Sequence, residues 1–236
     1  MYTFDDPVSW YEAGVYHVAR QEYDEAMKCF NDALAAYKPY FSVYFNRGII
    51  LDRYYRNYDG AIADYRTALD IKPEDDYLEV ITKEKIAEVY KFIGLAYRQK
   101  DNYNAALENY NKSIELNPDN WSVFSNRGFL YDKMGKNALA LADYIEAIYI
   151  KPDYAIAYNN RGIILERMGK YDEARDDYLD AIRLDPKFPE PYNNLGNIYC
   201  KQGNYKSAIQ YYKIALKLNP NYTVARQNLN SIMGMD

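Results

Sequence analysis

The side chains able to do chemistry are few and poorly arranged for catalysis. His17 is the single histidine, so a histidine-based metal site or a nucleophile–histidine pair has almost no material. Cys29 and Cys200 are the two cysteines and lie at opposite ends of the chain. Held apart by an extended array, they would form neither a disulfide nor a metal pair, which fits a reducing compartment such as the cytoplasm. The chain carries no phosphate loop, no glycine-rich dinucleotide turn and no nucleophile elbow. Its 34 acidic residues fall at repeat spacing, where a solvated helix face is the ordinary reading. The expectation is a non-enzymatic protein with no cofactor and no metal.

Two polar patterns do recur. Arg47, Arg127 and Arg161 are matched by Asp64, Asp143 and Asp177 at equivalent later places. Where the arginine is absent the aspartate is absent too, giving Ala13 with Cys29, Ile93 with Asn109, and Leu195 with Tyr211. Such pairs suit a bidentate guanidinium–carboxylate bridge across two packed helices, with one guanidinium edge open to a ligand as the alternative. The second pattern is a row of asparagines, Asn46, Asn126, Asn160, Asn194 and Asn228, the last four spaced 34 apart. A carboxamide both donates and accepts, as an extended peptide backbone requires. Beside the row run Val15, Ile49, Leu95, Phe129 and Ile163, then polar Asn197. Asn46, Asn126, Asn160, Asn194 and Asn228 with Phe129, Ile163 and Asn197 are therefore the candidate groove residues. The acid–base neighbours Asp52-Arg53, Asp132-Lys133 and Glu166-Arg167 would line one wall with balanced charge.

The elements that position these residues are read best in Pro189–Tyr222. Tyr192, Leu195, Gly196 and Tyr199 share one helical face, and after Gly203 a second helix would bury Tyr205, Ala208, Tyr212, Ala215 and Leu216. Asn219-Pro220 stops it, because proline disfavours helical geometry in the preceding residue. The phrase occurs six times, at residues 7–40, 41–75, 87–120, 121–154, 155–188 and 189–222. Position four is always aromatic (Trp10, Tyr44, Tyr90, Phe124, Tyr158, Tyr192), and position eight always glycine (Gly14, Gly48, Gly94, Gly128, Gly162, Gly196). Ala26, Ala61, Ala106, Ala140, Ala174 and Ala208 recur in the second half. Small residues let paired helices approach closely, and a mid-helix glycine costs about 1 kcal/mol, so its recurrence implies a packing reason. Most of the 29 tyrosines sit at such fixed positions and are assigned to packing.

Aromatic, Leu-Gly, Tyr, Ala, aromatic and Pro in this order resemble the tetratricopeptide repeat family. The resemblance implies an all-α, right-handed superhelical solenoid of six helix-turn-helix units, thirteen helices in all with a capping helix over 223–236. It also implies a protein-interaction scaffold whose first helices line a concave groove for a peptide segment of a partner. The asparagine row resembles that of the repeat domain in protein O-linked N-acetylglucosamine transferases, which grips peptide main chain, although asparagine is common there in ordinary family members. The chaperone co-factors of the family use a Lys–Asn–Asn–Lys–Arg clamp. The corresponding places here include Tyr11, Val15, Asn46, Glu88 and Phe92, of which one asparagine survives, so that clamp is not expected.

Net charge is −5, which argues against a nucleic-acid partner held through phosphates. No apolar run approaches the ~20 residues a membrane helix needs, and no leader is visible at the start. His17 stands where other copies carry Tyr or Leu, and a packing role is expected of it. Between copies two and three lies the insert 76–86, DYLEVITKEKI, without Gly or Pro. It reads as an extension of the next helix, starting at Asp75 or Asp76 and running to about Lys100. Leu78, Ile81 and Ile86 would pack back on copy two or contact a second chain, giving a homo-oligomer. At the C-terminus Val224, Leu229, Ile232 and Met233 are expected to cover the last copy. A self-assembling structural protein and a regulatory domain of a larger enzyme system are the alternatives to a peptide-binding scaffold.

Overall fold

A computed structural model describes residues 7–36, 40–72 and 80–233. Every regular element among them is a helix: α1 Pro7–Ala19, α2 Tyr23–Ala36, α3 Phe41–Arg53, α4 Tyr58–Asp70, α5 Lys83–Gln99, α6 Tyr103–Leu116, α7 Trp121–Lys133, α8 Asn137–Ile150, α9 Ala155–Arg167, α10 Tyr171–Leu184, α11 Pro189–Lys201, α12 Tyr205–Leu218 and α13 Thr223–Met233. The fold is an all-α repeat solenoid. It divides into two compact units, Met1–Asp119 and Asn120–Asp236. The first holds the hairpins α1/α2, α3/α4 and α5/α6. The second holds α7/α8, α9/α10 and α11/α12, with α13 packed on α12.

Each hairpin turns through one residue with positive φ: Gln21, Arg56 and Asp101 in the first unit, Gly135, Gly169 and Gly203 in the second. That left-handed residue ends the first helix, and glycine adopts it without the clash a Cβ brings. The second helix then opens on a side-chain cap in three hairpins. Asn57, Asn102 and Asn204 accept hydrogen bonds from the backbone N–H of Gly60, Ala105 and Ser207.

The position-eight glycines owe their recurrence to one ring. A Cβ on Gly14 would stand 2.4 Å from the ring of Phe30, and on Gly48, Gly94, Gly162 or Gly196 it would stand 2.5–2.6 Å from Tyr65, Tyr110, Tyr178 or Tyr212. Those rings are buried between the paired helices with the recurrent alanines. Gly128 is the looser case, its nearest neighbours being Asp143 Cβ and the Tyr144 ring at 3.2 Å.

The insert departs from the expected helix. Residues 76–79, including Leu78, lie outside the described residues. Val80, Ile81 and Thr82 are not helical, and α5 starts at Lys83. The reason is local: the Thr82 hydroxyl accepts from the Lys85 N–H at 3.3 Å and caps the helix there, a place β-branched threonine fills better than a helix interior. Ile81 is buried and Ile86 packs beside it in the core of Phe41, Ala61, Tyr65 and Phe92, so these two pack back on copy two. In α13, Ala225, Leu229 and Ile232 are buried, whereas Val224 and Met233 are exposed. His17 is held by Glu22, its Nδ1 lying 2.7 Å from a carboxylate oxygen. Among the described residues no helix is long and apolar enough to cross a membrane, and no group of residues could hold a metal ion.

Candidate functional site

In the second unit, the first helices of adjacent hairpins bring together several of the residues expected to line a groove. A cleft of about 340 Å³ is lined by Ile163, Glu166 and Arg167 of α9 and by Asn194, Asn197 and Lys201 of α11. Ile163, Asn194 and Asn197 are half-buried there. The walls are charged but internally neutralised. Lys201 donates to Glu166 Oε1 at 2.8 Å, and Arg167 pairs with Asp132. The acids therefore bridge to the cation of the following copy, not to their own neighbour in sequence. Glu166 also accepts from the Tyr178 hydroxyl at 2.9 Å on its other oxygen, which fixes the carboxylate in place. The bond to Glu166 raises the Lys201 pKa above its ordinary value.

Asparagine chemistry in this unit extends beyond the predicted row. Asn159 and Asn193, one residue before row members, are 3% and 2% exposed. Asn159 donates to Asn160 Oδ1 at 3.3 Å and accepts from Asn194 at 3.0 Å. Asn193 donates to Asn194 Oδ1 at 3.3 Å and accepts from Asn228 at 2.9 Å. Asn228 also donates to Asn197 Oδ1 at 3.0 Å, which accepts from the Tyr212 hydroxyl at 2.8 Å. Asn160, Asn194 and Asn228 are thus stitched into a carboxamide chain linking α9, α11 and α13. A carboxamide has two N–H donors and two acceptor sites, so these bonds use one of each on Asn194, a residue of the cleft lining. The buried partners escaped the sequence reading, although Asn-Asn doublets at 159–160 and 193–194 were the available signal.

Asn126 behaves differently, donating to the Ser122 carbonyl at 2.7 Å within α7. Phe129 is half-buried, with the Lys133 ammonium 5.3 Å from its ring centroid. In the first unit Asn46 donates to the Ser42 carbonyl at 2.9 Å and lies 3.5 Å from the Tyr11 hydroxyl. It lines a more apolar cleft of about 200 Å³ with Val18, Tyr23, Ile49, Ile50, Arg53 and Tyr54. The two clefts occupy equivalent places in their hairpins. Val18 stands where the second unit has Glu166, and Ile49 where it has Asn197.

The three Arg–Asp pairs lie away from these clefts, inside hairpins. Each is bidentate: Arg47 with Asp64 at 2.7 and 2.7 Å, Arg127 with Asp143 at 2.9 and 2.7 Å, Arg161 with Asp177 at 2.8 and 2.6 Å. The aspartates are buried. Burial pushes the Asp143 and Asp177 carboxyls up, against the pull of Arg127 and Arg161. Arg47 also donates to Asn31 Oδ1 at 2.8 Å. In copy six Leu195 is buried and Tyr211 stacks on Tyr199 at 5.3 Å with rings 5° from parallel.

Residues 11–76, 94–203 and 189–222 match sequence profiles of the tetratricopeptide repeat. An uncharacterized protein ycf37 of Guillardia theta is 36% identical over 76 residues, 32% of this chain and 39% of that protein. Among solved structures, that of the APC/C hetero-tetramer Cut9-Hcn1 superposes with a TM-score of 0.75 at 18% identity, over 96% of this chain and 42% of that one. YrrB, described as a tetratricopeptide repeat protein with an unusual peptide-binding site, gives 0.63 at 22% identity, over 84% of this chain and 96% of that one. The chain thus spans well under half the length of ycf37 and of the Cut9-Hcn1 chain.

Proposed function

The chain belongs to the tetratricopeptide repeat family, and on that premise we propose that it is a non-enzymatic scaffold that binds an extended peptide segment of a partner protein. The observation that carries the reading is the cleft between α9 and α11. It joins an apolar patch at Ile163 to half-buried carboxamides at Asn194 and Asn197, between walls whose charges are already paired. Asn160, Asn194 and Asn228 hold the repeats together through one face, and the donor and acceptor left on Asn194 meet the peptide main chain. Asn46 with Ile49, and Phe129 beside Asn126, are proposed as further contacts. That YrrB is described with a peptide-binding site supports the same use of the fold.

Paired walls and neutral carboxamides favour an uncharged to mildly apolar segment, whose affinity depends little on salt. Each peptide hydrogen bond contributes about 0.5–1.5 kcal/mol. Self-assembly through residues 76–86 is not invoked, because Ile81 and Ile86 are spent on the α3–α5 core.

The test is a displayed random-peptide library panned on the immobilised chain. Ile163→Lys alters the cleft, and Tyr149→Lys alters a residue 81% exposed on α8. Selected peptides are expected to lose binding to the Ile163→Lys chain and keep it on the Tyr149→Lys chain. Equal binding to all three folded proteins would move the site elsewhere.

A further inference from the structure

The second unit sets a rule that the first unit breaks. There the acid near the end of α7 and of α9 is bridged by the cation one place further along in the following copy, Asp132 with Arg167 and Glu166 with Lys201. The equivalent acid in copy two is Asp52, and the equivalent cation place in copy three holds Gln99. Asp52 is 8% exposed and, among the described residues, makes no hydrogen bond or ion pair. Its oxygens are not among the wholly buried unpartnered atoms of the described residues, so the carboxylate opens onto the cavity beside it. Burial raises the Asp52 pKa, against the pull of Arg53 and Arg98.

The same shift strands a cation. Arg53 stands at the place of Arg167 and Lys201, but its acid in copy one is replaced by Val18. Among the described residues Arg53 makes no ion pair, its guanidinium lying 5.2 Å from the Phe92 ring centroid. Asp52 and Gln99 face a common cavity of about 340 Å³, whose remaining lining is Arg53, Arg56 and Tyr58. Arg56 likewise has no ion-pair partner among the described residues and is held at the hairpin turn with φ 52°. One carboxylate and two guanidiniums would repel a lone cation entering this space. A cation beside an anion meets complementary charge on both sides.

We infer that the cavity at Asp52 is a second reading point of the scaffold, taking a lysine or arginine side chain of the partner segment with an acidic neighbour that meets Arg53 and Arg56. The partner supplies the cation that Gln99 omits. This inference rests on the peptide-binding reading, which by itself asks for no charge in the partner.

The probes are two synthetic peptides of alternating leucine and glutamine, one carrying a single adjacent Lys–Glu pair and the other Gln–Gln in its place. Fluorescence anisotropy on the full chain is expected to give about tenfold tighter binding for the Lys–Glu peptide, the scale of a partly desolvated charge pair. Asp52→Asn should abolish that preference, and Gln99→Lys should abolish it by closing the bridge from within. Both variants should bind the Gln–Gln peptide as the wild type does. A preference absent from the wild type, or kept in Asp52→Asn, overturns the inference. The groove reading then still stands if Ile163→Lys weakens the Gln–Gln peptide. Failure of both peptides to bind the wild type overturns both. A measurement without ligand tests the geometry: Gln99→Lys should raise the urea midpoint in the wild type but not in Asp52→Asn, and an equal effect in both also overturns the inference.

Discussion

Replacing the Arg127–Asp143 bridge by the solution copy six already uses should leave stability nearly unchanged, although either half of the exchange alone should be severe. The Arg127 and Asp143 side chains are 19% and 5% exposed. Arg127→Leu leaves a carboxylate buried without its bidentate donor, a change that costs about 3–5 kcal/mol in comparable settings. Asp143→Tyr inserts a ring against the guanidinium and removes its acceptor, with a cost of about 2–4 kcal/mol. Made together, the two recreate Leu195 with Tyr211, and Tyr131 stands where Tyr199 stacks on Tyr211. The double variant should lie within about 1 kcal/mol of wild type, because an apolar pair of fitting volume avoids the desolvation of two ions. Urea unfolding of all four proteins at pH 7, followed by circular dichroism, gives the coupling. The stranded Asp143 adds a second mark. Its pKa in the folded variant is raised above the unfolded value, so the loss in Arg127→Leu should be largest at pH 7 and shrink as pH falls toward the ordinary carboxylate range. Additive losses in the double variant would refute the pairing as the source of the energetics.

Three further outcomes follow from the hairpin interior. Gly196→Ala should cost about 1–3 kcal/mol, since its Cβ meets the Tyr212 ring at 2.5 Å. Gly128→Ala, with 3.2 Å available, should be near neutral once helix propensity is counted; equal costs in thermal unfolding would contradict the ring-contact account. Tyr65 and Tyr110 bury hydroxyls that have no partner among the described residues. Tyr65→Phe and Tyr110→Phe should therefore be neutral or stabilising, whereas Tyr178→Phe, which loses a bond to Glu166, should cost about 1–2 kcal/mol; urea midpoints in the reverse order would overturn this. Burial raises the phenol pKa of Tyr65, Tyr110, Tyr144 and Tyr178, and pushes Tyr212 up to about 12. Their folded values exceed the unfolded one, so their stability contribution is intact below pH ~10 and lost as pH rises above it. The five together remove roughly 7 kcal/mol per pH unit there, and cooperative unfolding by circular dichroism should fall between about pH 10 and 12, with a fold intact above that range as the contrary result.

Legibility in the sequence followed periodicity. The helical hairpins were legible because glycine, alanine and aromatic positions answer to one local contact, the ring of the second helix on the glycine of the first, although α5 starts at Lys83, between the expected extension and the start of copy three. Arg127 and Asp143 were legible for a related reason: two charges buried together must appear and disappear together. What escaped was non-periodic. Thr82 stops α5 by a single hydroxyl bond that an uninterrupted helical pattern does not announce. In α13, Val224 and Met233 fall at plausible apolar spacing, yet Ala225 faces the core with Leu229 and Ile232. In a helix of 11 residues, a small rotation decides which stripe is inward. Asn159 and Asn193 carried no such signal, because their burial depends on what the next copy places above them. The pairing of the wall charges was unreadable for the same reason, Asp132 and Glu166 reaching to the following copy.

The most direct test of the scaffold reading is an amide NMR map of the chain titrated with a panned peptide. The account predicts shifts in the side-chain amides of Asn194 and Asn197 and in the Ile163 methyl signals, with the outer residue Tyr149 unmoved. Perturbations confined to the outer faces of α8, α10 and α12, with Asn194, Asn197 and Ile163 unchanged at saturation, would contradict it.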